Sequence, residues 1–261
     1  MTTMSRVRHR YGHETNQVGD LWLPDHVSPG GAPVVVLIHG GWWRSVYTRS
    51  LMDRLARATV LRGWAAWNIE YRRIGRFGGG GGWPATFFDV GKAIDHVAVL
   101  AGADRSRVVT CGHSAGGHLA LWAAARGRPL PEAPGDPPIV QLVGAVSLAG
   151  AVDLESAADL GLGEGAVPQF LGGTPASCPE RYQAGSPIAL LPLGIPQVLI
   201  HGLADTVVPA SMSEQYQQRA SEAGDPVVYA GIDAMGHREV IDPALEAWPI
   251  LADHLERLFS S

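Results

Sequence analysis

Apolar positions along this chain recur in two alternating patterns, and the alternation sets the expected architecture. Val34 to Ile38 is an unbroken apolar run, the mark of a strand covered on both faces. Comparable β-branched or apolar stretches at 64–69, 108–110, 140–148, 197–201 and 227–230 predict further strands, with Asp104 to Arg107 leading into the one at 108–110. Between them, 50–62, 87–101, the alanine-rich stretch after 114, 211–223 and 243–259 repeat apolar residues at helical spacing. The faces Leu51, Leu55, Ala58 and Val90, Ile94, Val97, Ala101 are those expected to pack inward, with Gly63 ending the first helix. The segments 6–10 and 18–23 read as two strands joined by a polar turn around 12–16. Strand and helix alternate from there on, which predicts a mainly parallel sheet with helices on both faces, an α/β fold. The segment 154–191 has weak periodicity and much Gly and Pro, and is expected to be a cap or insertion within a single domain spanning 1–261. A proline-rich loop is expected at 127–138, and the glycine-rich run 75–82 reads either as a slack surface loop or as a mobile rim.

Composition narrows the class. With 46% hydrophobic residues and 17% charged ones over 261 residues, a disordered or fibrous chain is excluded. The formal charge of −5 has no clustering that suggests nucleic acid or an anionic membrane as partner. Two cysteines, Cys111 and Cys178, are too few for a disulfide framework and lack metal-ligand spacing, and Cys111 is expected buried at a strand end. The first residues are basic and polar with no apolar stretch behind them, and no run approaches the ~18 apolar residues of a membrane span. A cytoplasmic protein is the expectation.

In open parallel sheets the chemistry sits at the carboxyl ends of the strands, and the polar clusters here follow strands. The most informative is Gly112-His113-Ser114-Ala115-Gly116, a G-x-S-x-G between a strand and a helix. Glycine at 112 and 116 lets the turn close, which presents the Ser114 hydroxyl at a helix N-terminus favouring negative charge. A serine nucleophile needs a base and an orienting acid. Asp205 follows the 197–201 strand and His237 follows the last one, giving the order Ser, acid, His. Asp153 also follows a strand and is the competing acid. His39-Gly40-Gly41-Trp42 follows the first parallel strand, and its small residues are suited to bringing backbone N–H groups of Gly40 and Gly41, with that of Ala115, towards an oxyanion. His39 is expected to brace this loop. Of the aromatic residues on these stretches, Trp42 and Trp83 are assigned to the substrate pocket, and Trp64, Trp67 and Trp122 to the core.

Taken together, His39-Gly-Gly-Trp-Trp, Glu70-Tyr-Arg, Gly-His-Ser114-Ala-Gly-Gly, the Asp205 loop and the His237 loop resemble the α/β-hydrolase superfamily. Within it the chain is similar to the branch holding hormone-sensitive-lipase-type esterases and kynurenine formamidase-like enzymes. The match runs from about Val34 to His237. It implies an acyl-enzyme mechanism without metal or cofactor, carried by Ser114, Asp205 and His237, with Gly40, Gly41 and Ala115 at the oxyanion hole. Lipase-like members carry His-Gly-Gly-Gly, whereas position 42 here is tryptophan. The HGG-x-W form shifts the expected substrate towards short-chain or aryl esters, with an arylformamide such as N-formylkynurenine as a candidate. A peptidase or other acyl-amide hydrolase shares the triad, and a non-catalytic ligand receptor on the same fold is the alternative of another class. The expected partner is a small-molecule ester or amide.

Overall fold

A computed structural model describes residues 4–127, 134 and 137–260. The strands are β1 (Met4–Arg10), β2 (Val18–Pro24), β3 (Ala32–Ile38), β4 (Ala65–Ile69), β5 (Ala103–His113), β6 (Gly144–Leu148), β7 (Gln197–Gly202) and β8 (Val227–Ile232). They form one sheet in the order β1-β2-β4-β3-β5-β6-β7-β8. The β1–β2 and β2–β4 pairings are antiparallel and all the others parallel. The helices are α1 (Asp53–Leu61), α2 (Ala85–Asp95), α3 (Ala115–Ala124), α4 (Leu154–Asp159), α5 (Ala166–Leu171), α6 (Pro179–Gly185), α7 (Ala210–Glu222) and α8 (Ala247–Ser260).

The period-2 rule of a strand explains how one apolar run serves two cores. Val34, Val36 and Ile38 of β3 join a cluster with α2, α3 and α7, while Val35 and Leu37 point into a second cluster with α1 and α8. The expected three layers are therefore present, and β3 has an apolar helical layer on each side. The 154–191 segment runs between β6 and β7 as α4, α5, α6 and a short 3-10 turn at Pro187–Leu190. It is tied to α3 by His118 Nε2, which donates to Gly185 O at 2.8 Å, and by Trp122 Nε1, which donates to Ala184 O at 3.2 Å.

Three expectations are corrected. The strand expected at 140–148 begins at Gly144, so the stretch before it lies outside the strand. The second helix tightens into a 3-10 turn at His96–Val99, leaving Ala101 exposed beyond it. The glycine run at 75–82 is neither slack nor free. Arg73 is buried beneath it, and its backbone N–H and C=O bond Gly78 O and Gly81 N at 2.7 and 3.0 Å. A Cβ at Gly78 would stand 1.8 Å from Arg73 O, and one at Gly81 would stand 2.2 Å from Arg73 N, so glycine there is a packing requirement. The proline-rich loop expected at 127–138 falls largely outside the described residues.

Candidate active site

The β5–α3 turn is as tight as its sequence demands. A Cβ at Gly112 would come within 1.9 Å of Gly116 O, and one at Gly116 within 2.0 Å of Ile38 O. Ser114 between them adopts φ 55°, ψ −121°, a region costly for a side-chain-bearing residue by roughly 1–3 kcal/mol. Its N–H donates to Leu148 O at 2.8 Å, so the neighbouring strand fixes the strained residue. Ser114 and Ala115 are both buried.

Asp205 and His237 arrive from the ends of β7 and β8. His237 Nδ1 donates to Asp205 Oδ2 at 2.6 Å. The same oxygen accepts from His201 Nε2 at 3.0 Å, while Asp205 Oδ1 accepts the N–H groups of Val207 and Val208 at 2.7 and 3.0 Å. Burial opposes the charge on Asp205, yet these four donors, led by His201 and His237, hold its pKa well below the usual carboxylate range. His201 is buried in β7, its Nδ1 facing the Ser213 hydroxyl of α7 at 2.8 Å. Sequence reasoning missed His201, although its place four residues before Asp205 was open to view.

His113, the middle residue of Gly112-His113-Ser114, donates from Nε2 to His237 O at 2.8 Å. It thereby fastens the His237 loop to the β5–α3 turn. Burial and the neighbouring His237 push the His113 pKa down to about 3, so its ring is a neutral strut at physiological pH.

The His39-Gly40-Gly41 turn lies against this elbow. A Cβ at Gly40 would meet His113 O at 2.6 Å and Ser114 Cβ at 2.9 Å. Gly41 has φ +105°, and a side chain there would strike the Tyr47 ring. His39 braces the turn as expected: its ring nitrogens lie 2.8 Å from Gly40 O and 2.8 Å from Glu70 Oε1, and it stacks on Tyr71 at 4.4 Å. Tyr71 in turn donates its hydroxyl to His39 O at 2.7 Å. Burial opposes ionisation of Glu70, but His39, Arg73 and Arg49 outweigh it and lower its pKa. Arg49 continues the chain of contacts to buried Asp20 of β2 at 2.8 Å.

Ser114 and His237 share the wall of one cavity of about 160 Å³, together with Gly41, Trp42, Tyr47, Leu51, His113, Val207, Arg238 and Ile241. Trp42 is part of this lining. Trp83 does not: it is absent from this lining, packs edge-on against Phe87 at 5.1 Å and donates its backbone N–H to Phe170 O. Its half-buried ring packs against the core on the Phe87 side. Asp153 is also set apart, as the N-cap of α4, with its carboxylate accepting Ser156 N–H at 3.1 Å. The partner of His237 is Asp205. Trp43, at φ +54°, turns away from the cavity, is fully buried and stacks on Phe170 at 4.3 Å. Among the described residues no group of three or more His, Cys, Asp or Glu has metal-holding geometry, and no helix is long and apolar enough to cross a membrane.

An activated hydroxyl is what this arrangement can supply: a serine on a strained turn, an imidazole beside it in one cavity, and a carboxylate fixing that imidazole. The chain is similar to known proteins. The chain is 27% identical over 249 residues to Esterase LipC of Mycobacterium tuberculosis, covering 89% of this chain and 59% of the relative. It is 28% identical over 229 residues to Esterase LipQ of the same organism, covering 84% of this chain and 53% of the relative. The chain therefore spans just over half the length of these two relatives. A solved truncated carbohydrate esterase from gut microbiota superposes with TM-score 0.85 at 21% identity, covering 100% of this chain and 97% of that one. That likeness establishes the α/β-hydrolase fold. The BD-FAE family model matches residues 20–219, most of the chain, and the chain belongs to that family.

Proposed function

We propose that this chain is a serine hydrolase of small carboxylic esters, with Ser114 as nucleophile, His237 as general base and acid, and Asp205 as its orienting partner. The observation that carries the reading is the 2.6 Å bond from His237 Nδ1 to Asp205 Oδ2, made by a histidine that shares a cavity wall with Ser114. That bond puts the proton on Nδ1 and leaves Nε2 free to accept one. Ser114 Oγ attacks the ester carbonyl carbon as Nε2 takes the hydroxyl proton. The N–H groups of Gly40, Gly41 and Ala115 are assigned to the oxyanion that forms. Collapse breaks the acyl–oxygen bond, and the imidazolium returns its proton to the departing alcohol. Water then repeats the sequence on the acyl-enzyme, releasing the acid and restoring Ser114.

The cavity supports a small acyl or single-ring group. Its 160 Å³ is close to the ~150 Å³ at which an apolar protein cavity takes up benzene. Formamides and other amides engage the same groups, so the leaving group is settled by kinetics. The test is kcat/KM for p-nitrophenyl acetate, p-nitrophenyl butyrate and N-formylkynurenine on wild type and Ser114→Ala. The proposal expects ester turnover that falls by at least ~1000-fold in the variant. A formamide preferred by orders of magnitude makes the enzyme an arylformamidase. Equal activity in Ser114→Ala overturns the mechanism, and a wild type inactive on all three favours a ligand receptor.

A further inference from the structure

The cavity beside Ser114 has one feature that hydrolysis of a neutral ester does not use. Among its lining residues Arg238 bears the only permanent charge, and no carboxylate is among them. Arg238 is exposed, and its guanidinium carbon lies 5.9 Å from the centroid of the Tyr47 ring, another wall of the cavity. Carboxylates close to this wall are engaged elsewhere, and Asp242, four residues on from Arg238, pairs with Arg54 at 2.7 Å. Asp205 accepts from His237 and His201, and Glu239 accepts the Gly236 N–H. The other arginines bordering this region are also committed: Arg44 to Gly163 O and Glu164, Arg49 to Asp20, and Arg73 to backbone carbonyls and Asn16. Among the described residues Arg238 makes no ion pair.

We propose that Arg238 is a specificity-determining residue that selects esters bearing a carboxylate, the anion resting on the guanidinium while the ester carbonyl lies at Ser114. The proposal rests on the ester-hydrolase reading and narrows its substrate class. Arginine suits the role, since its planar fork binds a carboxylate through two parallel N–H bonds and an aromatic face below it limits its orientations. The adjacent residue is the base His237, so a substrate anchored on Arg238 is held within one residue of the reacting centre. Because the group is exposed, the gain is modest and screened by salt. About a tenfold preference at low ionic strength is expected, shrinking as salt approaches ~0.5 M.

The test uses two pairs of esters that differ only in a carboxylate against its neutral carboxamide. In meta-acetoxybenzoate and meta-acetoxybenzamide the group sits on the leaving side. In monomethyl terephthalate and methyl para-carbamoylbenzoate it sits on the acyl side. The ratio of kcat/KM within each pair is measured for wild type, Arg238→Gln, Arg238→Lys and Arg238→Glu, so damage common to both substrates cancels. The expected result is a wild-type ratio of about ten in favour of the anion in one pair. That ratio is partly kept by lysine, falls towards one in glutamine and inverts in glutamate. Ratios near one in wild type for both pairs, or a preference that survives Arg238→Gln, overturn the assignment while leaving ester hydrolysis standing. A wild type inactive on all four esters, and also on p-nitrophenyl butyrate, overturns both readings.

Discussion

Replacing Asp205 by asparagine separates orientation from packing, because the two side chains have the same shape and differ in what their second head atom does. In the wild type, Oδ1 accepts two backbone N–H groups and Oδ2 accepts two imidazole N–H groups. Asparagine has a single acceptor oxygen, so its NH2 group must face one of these pairs of donors. Against the backbone it would leave the N–H groups of exposed Val207 and buried Val208 unmet, the buried one at about 1–3 kcal/mol. Against the imidazoles each histidine moves its proton to the other ring nitrogen, and His201 gives up the bond from its Nε2 to Val208 O at 3.0 Å. The second arrangement, with the amide NH2 facing His237, is the one expected, as in the serine proteases. His237 then carries its proton on Nε2, towards Ser114, and has no lone pair with which to accept the serine proton. The wrong tautomer at this position costs a factor of about 10⁴ in kcat, a barrier increase of ~5.5 kcal/mol, in serine proteases, where it has been characterised. A similar loss is expected here, with KM within about threefold of wild type, because Asp205 is not in the cavity lining. Asp153→Asn is the matched control. Its carboxylate only caps α4, asparagine caps equally well, and activity is expected to stay within about twofold. Steady-state kinetics on p-nitrophenyl butyrate read both variants. Asp205→Asn within tenfold of wild-type kcat, or a collapse in Asp153→Asn, would refute the reasoning.

Further predictions concern the scaffold. Asp20 is buried, which raises its pKa, but Arg8, Arg6 and Arg49 overcome this and lower it to about 2. A depressed folded-state pKa means the native chain binds fewer protons than the unfolded one, so this stabilisation is full above about pH 4 and lost as pH falls towards about 2. The shift corresponds to about 1–2 kcal/mol once screening of the solvent-open Arg6 and Arg8 is allowed for. The stability gap between wild type and Asp20→Asn in urea should close over that window, and a constant gap contradicts the assignment. Trp43→Ala should lose about 3–5 kcal/mol by thermal or denaturant unfolding, since the ring is fully buried on Phe170. Trp43→Phe should lose less than ~2 kcal/mol, because the indole Nε1 has no hydrogen-bond partner among the described residues to forfeit; equal losses would point elsewhere. Gly116→Ala should yield little folded protein by near-UV circular dichroism, given the 2.0 Å approach of its Cβ to Ile38 O, and a native-like spectrum would contradict that packing.

The parts of the site that could be read from the chain are those whose function requires a residue type at a fixed point of a strand–turn–helix unit. Gly112, Ser114 and Gly116 are constrained by a few neighbouring peptides, and the order of Ser114, Asp205 and His237 follows from strand ends at one sheet edge. His39 was legible as a brace because it precedes two glycines that must approach the elbow. What local pattern carries poorly is tertiary. Trp42 and Trp43 are adjacent and both at positive φ, yet one lines the cavity and the other stacks on Phe170, a contact set by α5 more than a hundred residues away. Trp83 was misassigned for the same reason, as its partners come from α2 and α5. The glycine run at 75–82 reads as loose because composition cannot show the Arg73 backbone that it packs against. Tyr47, Arg238 and Ile241 enter the cavity from loops and short turns with no periodic signal, so the pocket was less legible than the proposed machinery.

The central claim is that Ser114 is an activated nucleophile, and covalent labelling tests it most directly. Native protein is treated with a fluorophosphonate probe and analysed by intact-mass and peptide mass spectrometry, beside heat-denatured protein, Ser114→Ala and His237→Ala. The account predicts one adduct per chain on Ser114 in the native protein, lost on denaturation and in Ser114→Ala, and slowed by at least ~1000-fold in His237→Ala. Native protein that stays unlabelled, or that labels equally fast without His237, would contradict it.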